Sequence, residues 1–448
     1  MFSHTLHARA LRVLAVCALG AAPAPIRAQA LSSASLDSLV ARAFELNPQI
    51  VAAQQRARAA EARIRPAGAR PDPMLGVGIQ NLPITEPGYS DFMTMNMISL
   101  GQTLPYPGKL GLARQAAERD RNAATAQIRA AQLEIAADVK RTYYELVYLD
   151  RALEVLESSQ KLLVNLMKAT ETRYEVGEGG QQDVLKARVE TARLAEQAVV
   201  LAEQRRTQLA RLNSLLARES ETPIAEPRIP ERIAAAAVPA DSTTARFRTA
   251  ALGARIADSP VRPLAELQEL AMRNNPTLRG QQLAIDAQDA RVDLARKAHL
   301  PDFDVSIQYG QRPHFPDMVS ATVSVPVPVK RGSRQNQQVA EARAEMAALE
   351  AERAATRNRL RADIARAHAD AERSRAQLAL LARSIIPQGR AARESATVAF
   401  QVGRADFLTV AESQAMLYSY ETAYFRALAD FATSVAELEQ LLGTEVLR

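Results

Sequence analysis

The chain has 448 residues and a net charge of +6, yet it contains no tryptophan and only 4% of its residues are aromatic. Compact globular cores use more aromatic side chains than this, so the composition favours long packed helices over two or three ordinary domains. A net charge of +6 is too small to argue for a nucleic-acid-binding surface, and we predict no nucleic-acid partner.

The first 30 residues have the pattern of a secretory signal peptide. Two arginines precede an apolar run over residues 13–22, and an Ala-Gln-Ala sequence ends at Ala30, after which we expect cleavage. The single cysteine, Cys17, lies in the apolar run, so the mature chain should contain neither disulfides nor thiolate ligands. Acylation of Cys17 is the alternative, but Val16 is a poor residue before such a cleavage site.

The mature chain contains a duplication. Residues 36–63 and 264–291 align at a fixed offset of 228 positions, and Asn-Pro pairs occur at equivalent places, Asn47-Pro48 and Asn275-Pro276. An asparagine followed by proline is typical of a helix start. We divide the chain into a signal peptide (1–30), a first repeat (31–221), a proline-rich linker (222–262) and a second repeat (263–448).

Each repeat contains two segments in which apolar and polar residues alternate. This period of two predicts strands at about 74–82, 92–104, 303–311 and 318–328. About ten residues suffice for a tilted strand to cross an outer membrane, whereas no mature segment has the roughly 18 consecutive apolar residues of a membrane-spanning helix. Four strands cannot close a barrel, which needs about eight, so several chains must share one.

Met93, Met95 and Met97 alternate with polar residues in the second predicted strand. Thioethers are soft ligands that can bind Cu(I) or Ag(I). We nevertheless assign these methionines to the apolar face of the strand, where lipid contact or packing accounts for them.

A very long helix is predicted after each strand pair. No proline interrupts residues 110–174, only Pro387 interrupts residues 333–400, and about 65 helical residues extend about 100 Å. In the first of these helices, apolar residues recur at heptad spacing: Leu146, Leu149, Leu153, Leu156, Leu163 and Met167. Each helix ends at a glycine, Gly177 or Gly403, before a return helix, so we predict antiparallel hairpins with tips at these glycines.

No catalytic, cofactor or metal-binding motif is present in the mature sequence. Its three histidines are widely spaced, and Gly108-Lys109 lacks the remaining residues of a phosphate-binding loop. We therefore predict that the protein is not an enzyme and that it has no cofactor or resident metal ion.

Charged residues gather near both predicted tips, and their carboxylates allow two interpretations. Asp406 could be the N-cap of its return helix, and Asp183 could stabilise the first turn of the other return helix. In a symmetric oligomer, however, these groups and Glu412 would form rings that favour cations, or that hold a constriction by pairing with Lys186 or Arg404.

This order of elements, given twice, resembles the TolC-type outer-membrane efflux proteins of Gram-negative bacteria. The motifs that carry the resemblance are the two Asn-Pro pairs, Leu-Pro-Tyr-Pro-Gly-Lys at 104–109, Tyr174-x-x-Gly177, Phe400-x-x-Gly403 and Leu-Glu-Gln-Leu-Leu-Gly at 438–443. The resemblance implies a mainly α fold with a small β part, in which coiled-coil hairpins form an α-helical barrel. It also implies a homotrimer whose chains contribute their strands to one shared transmembrane β-barrel.

The implied function is that of a passive exit duct in the outer membrane, with a tunnel that extends into the periplasm. The implied partners are outer-membrane lipid, a periplasmic membrane-fusion adaptor and an inner-membrane pump of the resistance-nodulation-division type. The exit motif and the methionine strand are also similar to members that serve heavy-metal pumps, so heavy-metal cations are a candidate cargo. The alternative is a periplasmic coiled-coil adaptor or scaffold without a pore, which would not need two amphipathic strand pairs.

The resemblance also implies where the periplasmic aperture lies. In the family it is narrowed by residues six and nine positions after the tip glycine and by an aromatic residue three positions before it. These positions are Tyr174, Asp183, Lys186, Phe400, Thr409 and Glu412. Thr409 departs from the family pattern, in which a carboxylate often stands there. Adaptor docking is expected at the tips themselves, at Gly177, Gly403, Arg404 and Asp406.

Overall fold

A computed structural model describes residues 35–85, 87–237, 260–327, 329–330 and 332–447. The predicted signal peptide with its cleavage site after Ala30, Cys17 and residues 238–259 of the predicted linker lie outside this part of the chain.

The described residues form two equivalent series of helices and strands. The first contains α1 (Leu36–Leu46), α2 (Pro48–Gly68), β1 (Met74–Gln80), β2 (Met95–Leu104), α3 (Lys109–Glu175) and α4 (Gln181–Leu215). A short helix, α5 (Glu231–Ala237), follows. The second contains α6 (Leu264–Asn274), α7 (Pro276–Lys297), β3 (Phe303–Gln311), β4 (Met318–Ser324), α8 (Gln335–Leu380), α9 (Ile386–Gln401) and α10 (Phe407–Leu442). The prediction of a mainly helical chain with four strands is confirmed.

The two Asn-Pro pairs begin helices and also fasten the ends of the return helices. Oδ1 of Asn47 accepts a hydrogen bond from the backbone N–H of Gln49 at 2.9 Å, and Nδ2 donates to the carbonyl of Leu215 at 3.0 Å. In the second repeat, Asn275 caps α7 in the same way and donates to the carbonyl of Leu441 at 2.9 Å. Each asparagine therefore joins the start of its repeat to the end of α4 or α10.

Within the described ranges, one antiparallel sheet in the order β1-β2-β3-β4 joins the two repeats. Its central pair, β2 and β3, runs from Asn96 opposite Gln311 to Leu104 opposite Phe303. Because directly opposite residues share a face, the register gathers exposed apolar residues on one side of the sheet. They are Leu75, Val77, Ile79, Ile98, Leu100, Ile307, Tyr309, Val319 and Val323.

The register shows that our assignment of the methionines to the apolar face was wrong. β2 begins at Met95, so Met93 lies in the preceding loop. Ile98 and Leu100 supply the apolar face of this strand, and residues at odd positions point the other way. Met95 and Met97 therefore lie on the polar face, because the alternation of apolar residues changes parity between Met97 and Ile98.

The first hairpin is formed by α3 and α4. α3 has 67 residues and is about 100 Å long. Its buried positions follow heptad spacing: Leu149, Ala152, Leu156, Ser159, Leu163, Leu166 and Thr170. Leu153 and Met167, which we predicted for this seam, are only half-buried. The seam uses small residues between its leucines, and a pattern of large apolar residues alone does not reveal them.

The second hairpin is formed by α8, α9 and α10, and its first arm is interrupted. A π-helical turn over Leu381–Ile385 separates α8 from α9, directly before Pro387. Proline has no backbone N–H, and its ring would collide with the carbonyl of Arg383 in a regular helix. The wider π turn removes this conflict, whereas α3 contains no proline and remains continuous.

Candidate functional site

Each hairpin turns at a glycine with a left-handed backbone conformation. Gly177 has φ 78° and Gly403 has φ 75°. In the first tip, the N–H of Glu178 donates to the carbonyl of Arg173 at 2.8 Å, and Arg404 makes the equivalent 2.8 Å bond in the second. This bond across six residues, with a glycine at the left-handed position, is the Schellman motif that ends many helices. The tips therefore have the same local construction.

The two tips of one chain contact each other through Arg173. Its guanidinium carbon lies 4.7 Å from the centre of the Phe400 ring, and Nη2 donates to the carbonyl of Gln401 at 3.4 Å. Phe400 is only 5% exposed, whereas Tyr174 is 46% exposed. Phe400 packs between the hairpins beneath Arg173, whereas Tyr174 lies at the surface.

A cleft of about 520 Å³ separates the tips and is lined by charged side chains. Its lining includes Arg173, Glu178, Asp183, Arg404 and Asp406. The structure therefore brings Asp183 and Asp406, which come from different hairpins, to the same cleft. Glu412 does not line it.

Asp406 is the N-cap of α10. Its Oδ1 accepts hydrogen bonds from the Thr409 hydroxyl at 2.6 Å and from the Thr409 backbone N–H at 3.0 Å. These bonds lower the pKa of Asp406 below its ordinary value, and the positive charge of Lys186 acts in the same direction. Lys186 belongs to α4, so this electrostatic interaction also links the two hairpins.

The remaining predicted aperture residues lie one helical turn apart in each return helix. Asp183 and Lys186 are partly exposed in α4, and Thr409 and Glu412 are exposed in α10. Residues three positions apart occupy the same side of a helix. In each return helix these two polar residues therefore lie on the same side, close to the tip.

Sequence reasoning did not single out Arg173. The equivalent position in the second repeat is Ala399, so the duplication gives no signal for a functional residue there. Only the packing of one hairpin against the other shows that this arginine covers an aromatic ring.

Apart from the cleft at the tips, the sheet has an exposed apolar surface. It lies at the end of the helices opposite the tips. Its apolar face is exposed, with Val77 at 77%, Leu75 at 71% and Val319 at 72%. A contiguous apolar surface of this kind marks contact with lipid or protein. None of the helices in the described ranges combines the length and the apolar character needed to cross a membrane.

Comparison with known proteins gives consistent matches over both repeats. Residues 39–218 and 267–444 match the family model of outer membrane efflux proteins. The chain is similar to the cobalt-zinc-cadmium resistance protein CzcC of Cupriavidus metallidurans, with 23% identity over 337 residues that cover 75% of this chain and 74% of CzcC.

Two solved structures show the same fold. The outer membrane protein VceC of Vibrio cholerae superimposes with a TM-score of 0.73 at 19% identity, covering 92% of this chain and 96% of VceC. CusC, described as forming a transmembrane channel, gives a TM-score of 0.72 at 14% identity, covering 91% of this chain and 92% of CusC.

Proposed function

This chain belongs to the outer membrane efflux protein family, and we propose that it is the exit channel of a tripartite efflux system. It would passively conduct substrates from an inner-membrane pump and a periplasmic adaptor to the exterior. The observation that carries this proposal is an exposed amphipathic sheet at one end of a helix about 100 Å long. A periplasmic adaptor without a pore has no use for such a sheet.

We place the sheet in the outer membrane and the helices in the periplasm. The apolar face then contacts lipid, and the polar face borders water. The ten residues of β2 and the nine of β3 agree with a tilted crossing of this membrane.

The pore is proposed to form in a homotrimer. One sheet has four strands, fewer than the eight or so that close a barrel, and its outer strands β1 and β4 have free edges. Pairing β4 of one chain with β1 of the next would close a ring, which has twelve strands in a trimer.

An unpartnered seam on α8 supports this assembly. The residues that α8 turns towards α7 and α10 include Ala342 and Leu360, which are buried. Ala344, two positions after Ala342, begins a row of exposed alanines on the opposite side of α8. The row continues at spacings of four, three and four residues, through Ala348, Ala351 and Ala355. This alanine seam faces away from α7 and α10. Because its side chains are small, a helix of another chain can pack closely against it.

The hairpin tips are proposed to form the periplasmic aperture. The residues that would border it are Tyr174, Asp183, Lys186, Thr409 and Glu412. Phe400 would lie behind them and keep Arg173 in place through the cation-π contact. The adaptor would dock on the outer surface of the tips, which contains Gly177, Gly403, Arg404 and Asp406.

Heavy-metal cations are the cargo that we favour. The similarity to CzcC supports this choice, because the name of that protein refers to cobalt, zinc and cadmium. In a trimer the exposed carboxylates near the tips would be repeated around the axis, which favours cations over anions.

Single-channel recording in planar bilayers tests the proposal. We expect the purified protein to form a pore, and the paired substitutions Asp183→Ala and Glu412→Ala to reduce its preference for cations. Glu157→Ala is a matched control, since Glu157 is an exposed carboxylate of α3 that pairs with Lys161 far from the tip. The absence of a pore at every salt concentration would contradict the channel, and unchanged selectivity would limit both carboxylates to a structural role.

A further inference from the structure

Two methionines flank one glycine on the polar face of the sheet. Met97 in β2 and Met318 in β4 are both register partners of Gly310 in β3, one on each side. Directly opposite residues share a face, so both thioether side chains lie beside Gly310. Neighbouring strands are about 4.8 Å apart, which brings the two side chains within reach of a common point.

A third methionine reaches the same place. A methyl group added at Gly310 would collide with the sulfur of Met95 and would stand 3.2 Å from its Cγ. The thioether of Met95 therefore lies directly over this glycine. Met95 is 8% exposed and Met318 is 39% exposed, so the cluster extends from a buried side chain to an accessible one.

The composition of this face does not favour a purely apolar cluster. Apart from Met74 at its other end, the face consists of small and polar residues: Gly76, Gly78, Gln80, Ser99, Gly101, Thr103, Asp304, Ser306, Gln308, Ser320, Thr322 and Ser324. The sheet places its branched apolar residues on the opposite face. Three methionines around one glycine are therefore an exception on this face.

We propose that Met95, Met97 and Met318 form a binding site for a soft monovalent cation, Cu(I) or Ag(I), over Gly310. Thioether sulfur is a soft, neutral ligand that selects such ions, whereas harder divalent cations prefer imidazole and carboxylate oxygen. In the described part of the chain, no group of three or more His, Cys, Asp or Glu residues is placed to hold a metal ion. Thioethers are thus the metal-binding chemistry that this part of the chain offers.

The site also has a place in transport, and this step rests on the proposed channel function. The cluster lies at the end of the strands farthest from the helices, on the face that would border the passage. A weak site at that position would bind the cation as it leaves the channel. The cargo would then include a soft monovalent metal ion.

Titration of the purified full-length mature protein with Ag(I) tests the site, in detergent and in nitrate buffer without chloride. The matched variant carries Met95→Leu, Met97→Leu and Met318→Leu, which keep side-chain volume and remove all three sulfurs. We expect its affinity for Ag(I) to fall about tenfold or more. Met74→Leu is the control, because Met74 lies on the same face at the other end of β1 and should leave binding unchanged.

X-ray absorption at the silver edge gives an independent measurement. Sulfur neighbours of bound Ag(I) are expected in the wild type and should be absent from the triple variant. If the triple variant does not assemble, the Ag(I) titration is repeated with Met318→Leu alone. This side chain is exposed, so it can lose its sulfur without disturbing the core. Equal Ag(I) affinity of the wild type and the variant that assembles would overturn the site and leave packing as the role of the methionines.

Bilayer recording separates this proposal from the channel proposal. A wild-type protein that binds Ag(I) through sulfur but opens no pore would refute the channel and retain the site. A wild-type protein that conducts but binds Ag(I) no better than the triple leucine variant would refute the site and retain the channel.

Discussion

Arg173 joins the two tips of a chain by direct side-chain contacts. Its guanidinium lies over the Phe400 ring and donates to the carbonyl of Gln401, so one side chain makes two contacts with the opposite hairpin. A cation-π contact of this kind contributes about 0.5–1 kcal/mol at an exposed site. This contact adds to the buried apolar cluster that the two hairpins share near their tips, which includes Leu166, Phe400 and Phe407.

We expect Arg173→Ala to raise the open probability of the channel about two- to fivefold, because about 0.5–1 kcal/mol of contact between the tips is lost. Single-channel recording measures this change. Arg188→Ala is the control, since Arg188 pairs with Glu171 inside the first hairpin and does not reach the second. An open probability that Arg173→Ala leaves unchanged would show that other contacts hold the tips.

The capping bond of Asp406 should make the second tip sensitive to acid. The pKa of Asp406 in the folded protein is below its ordinary value of 3.8, so its stabilising effect is complete above that value and is lost as the pH falls through the lower one. We expect channel opening to increase when the pH is lowered below about 4. Asp406→Asn should remove this dependence, because asparagine caps a helix as well as aspartate does and does not titrate. The same acid response in both proteins would assign it to another group.

At the level of single residues, the sequence predicted the roles that depend on local geometry. Asn47 and Asn275 were predicted as helix starts because the capping bond involves only neighbouring residues. Their second bonds, to the ends of the return helices, and the contact of Arg173 with Phe400 depend on chain segments far apart in sequence. No local pattern carries that information.

At the level of elements, replacing a tip glycine and replacing a helix glycine by alanine should change stability in opposite directions. Gly177 adopts φ 78°, where a side chain is strained, whereas Gly111 lies in the first turns of α3 with nothing within 4 Å of an added methyl group. The backbone conformation at position 177 therefore requires glycine, whereas the helical conformation at position 111 accepts alanine.

We expect Gly177→Ala to destabilise the first hairpin by about 1–2 kcal/mol and Gly111→Ala to stabilise α3 by up to about 1 kcal/mol. The two substitutions make the same chemical change in one hairpin and serve as controls for each other. Thermal unfolding followed by circular dichroism should shift in opposite directions. A shift in the same direction for both would mean that the tip conformation does not limit stability.

The elements show where sequence periodicity is informative and where it is not. Alternation located all four strands, but the face of the methionines was wrong because apolar residues occupy both odd and even positions at the start of β2. Heptad spacing located the seam of α3, but it favoured Leu153 over the smaller Ala152 that the seam buries. Burial in the seam depends on the position of a residue on the helix as well as on its size. A search for large apolar residues considers size alone.

At the level of the whole molecule, assembly should depend on the exposed alanine seam of α8. Ala351 lies in the middle of this seam. A large charged side chain there would keep a neighbouring helix at a distance and would bury a charge without a partner. The proposed trimer would lose packing along its whole height.

We expect Ala351→Arg to shift the protein from trimer to smaller species in native mass spectrometry of the detergent-solubilised channel. Gln115→Arg is the control, because Gln115 is exposed on α3, whose neighbours in the same chain already flank it on both sides. A trimer that resists Ala351→Arg as well as it resists Gln115→Arg would exclude this seam from the contact between chains.

The pairing of β2 with β3 has a consequence for the ancestry of this protein. That ladder joins the two repeats in the same way as the proposed β4-β1 ladder joins two chains. A ring of three chains is thus geometrically a ring of six half-length units, and an ancestor of half the size could have built it as a hexamer. The two halves now differ at their tips, where the first supplies Arg173 and the second supplies the Phe400 ring beneath it.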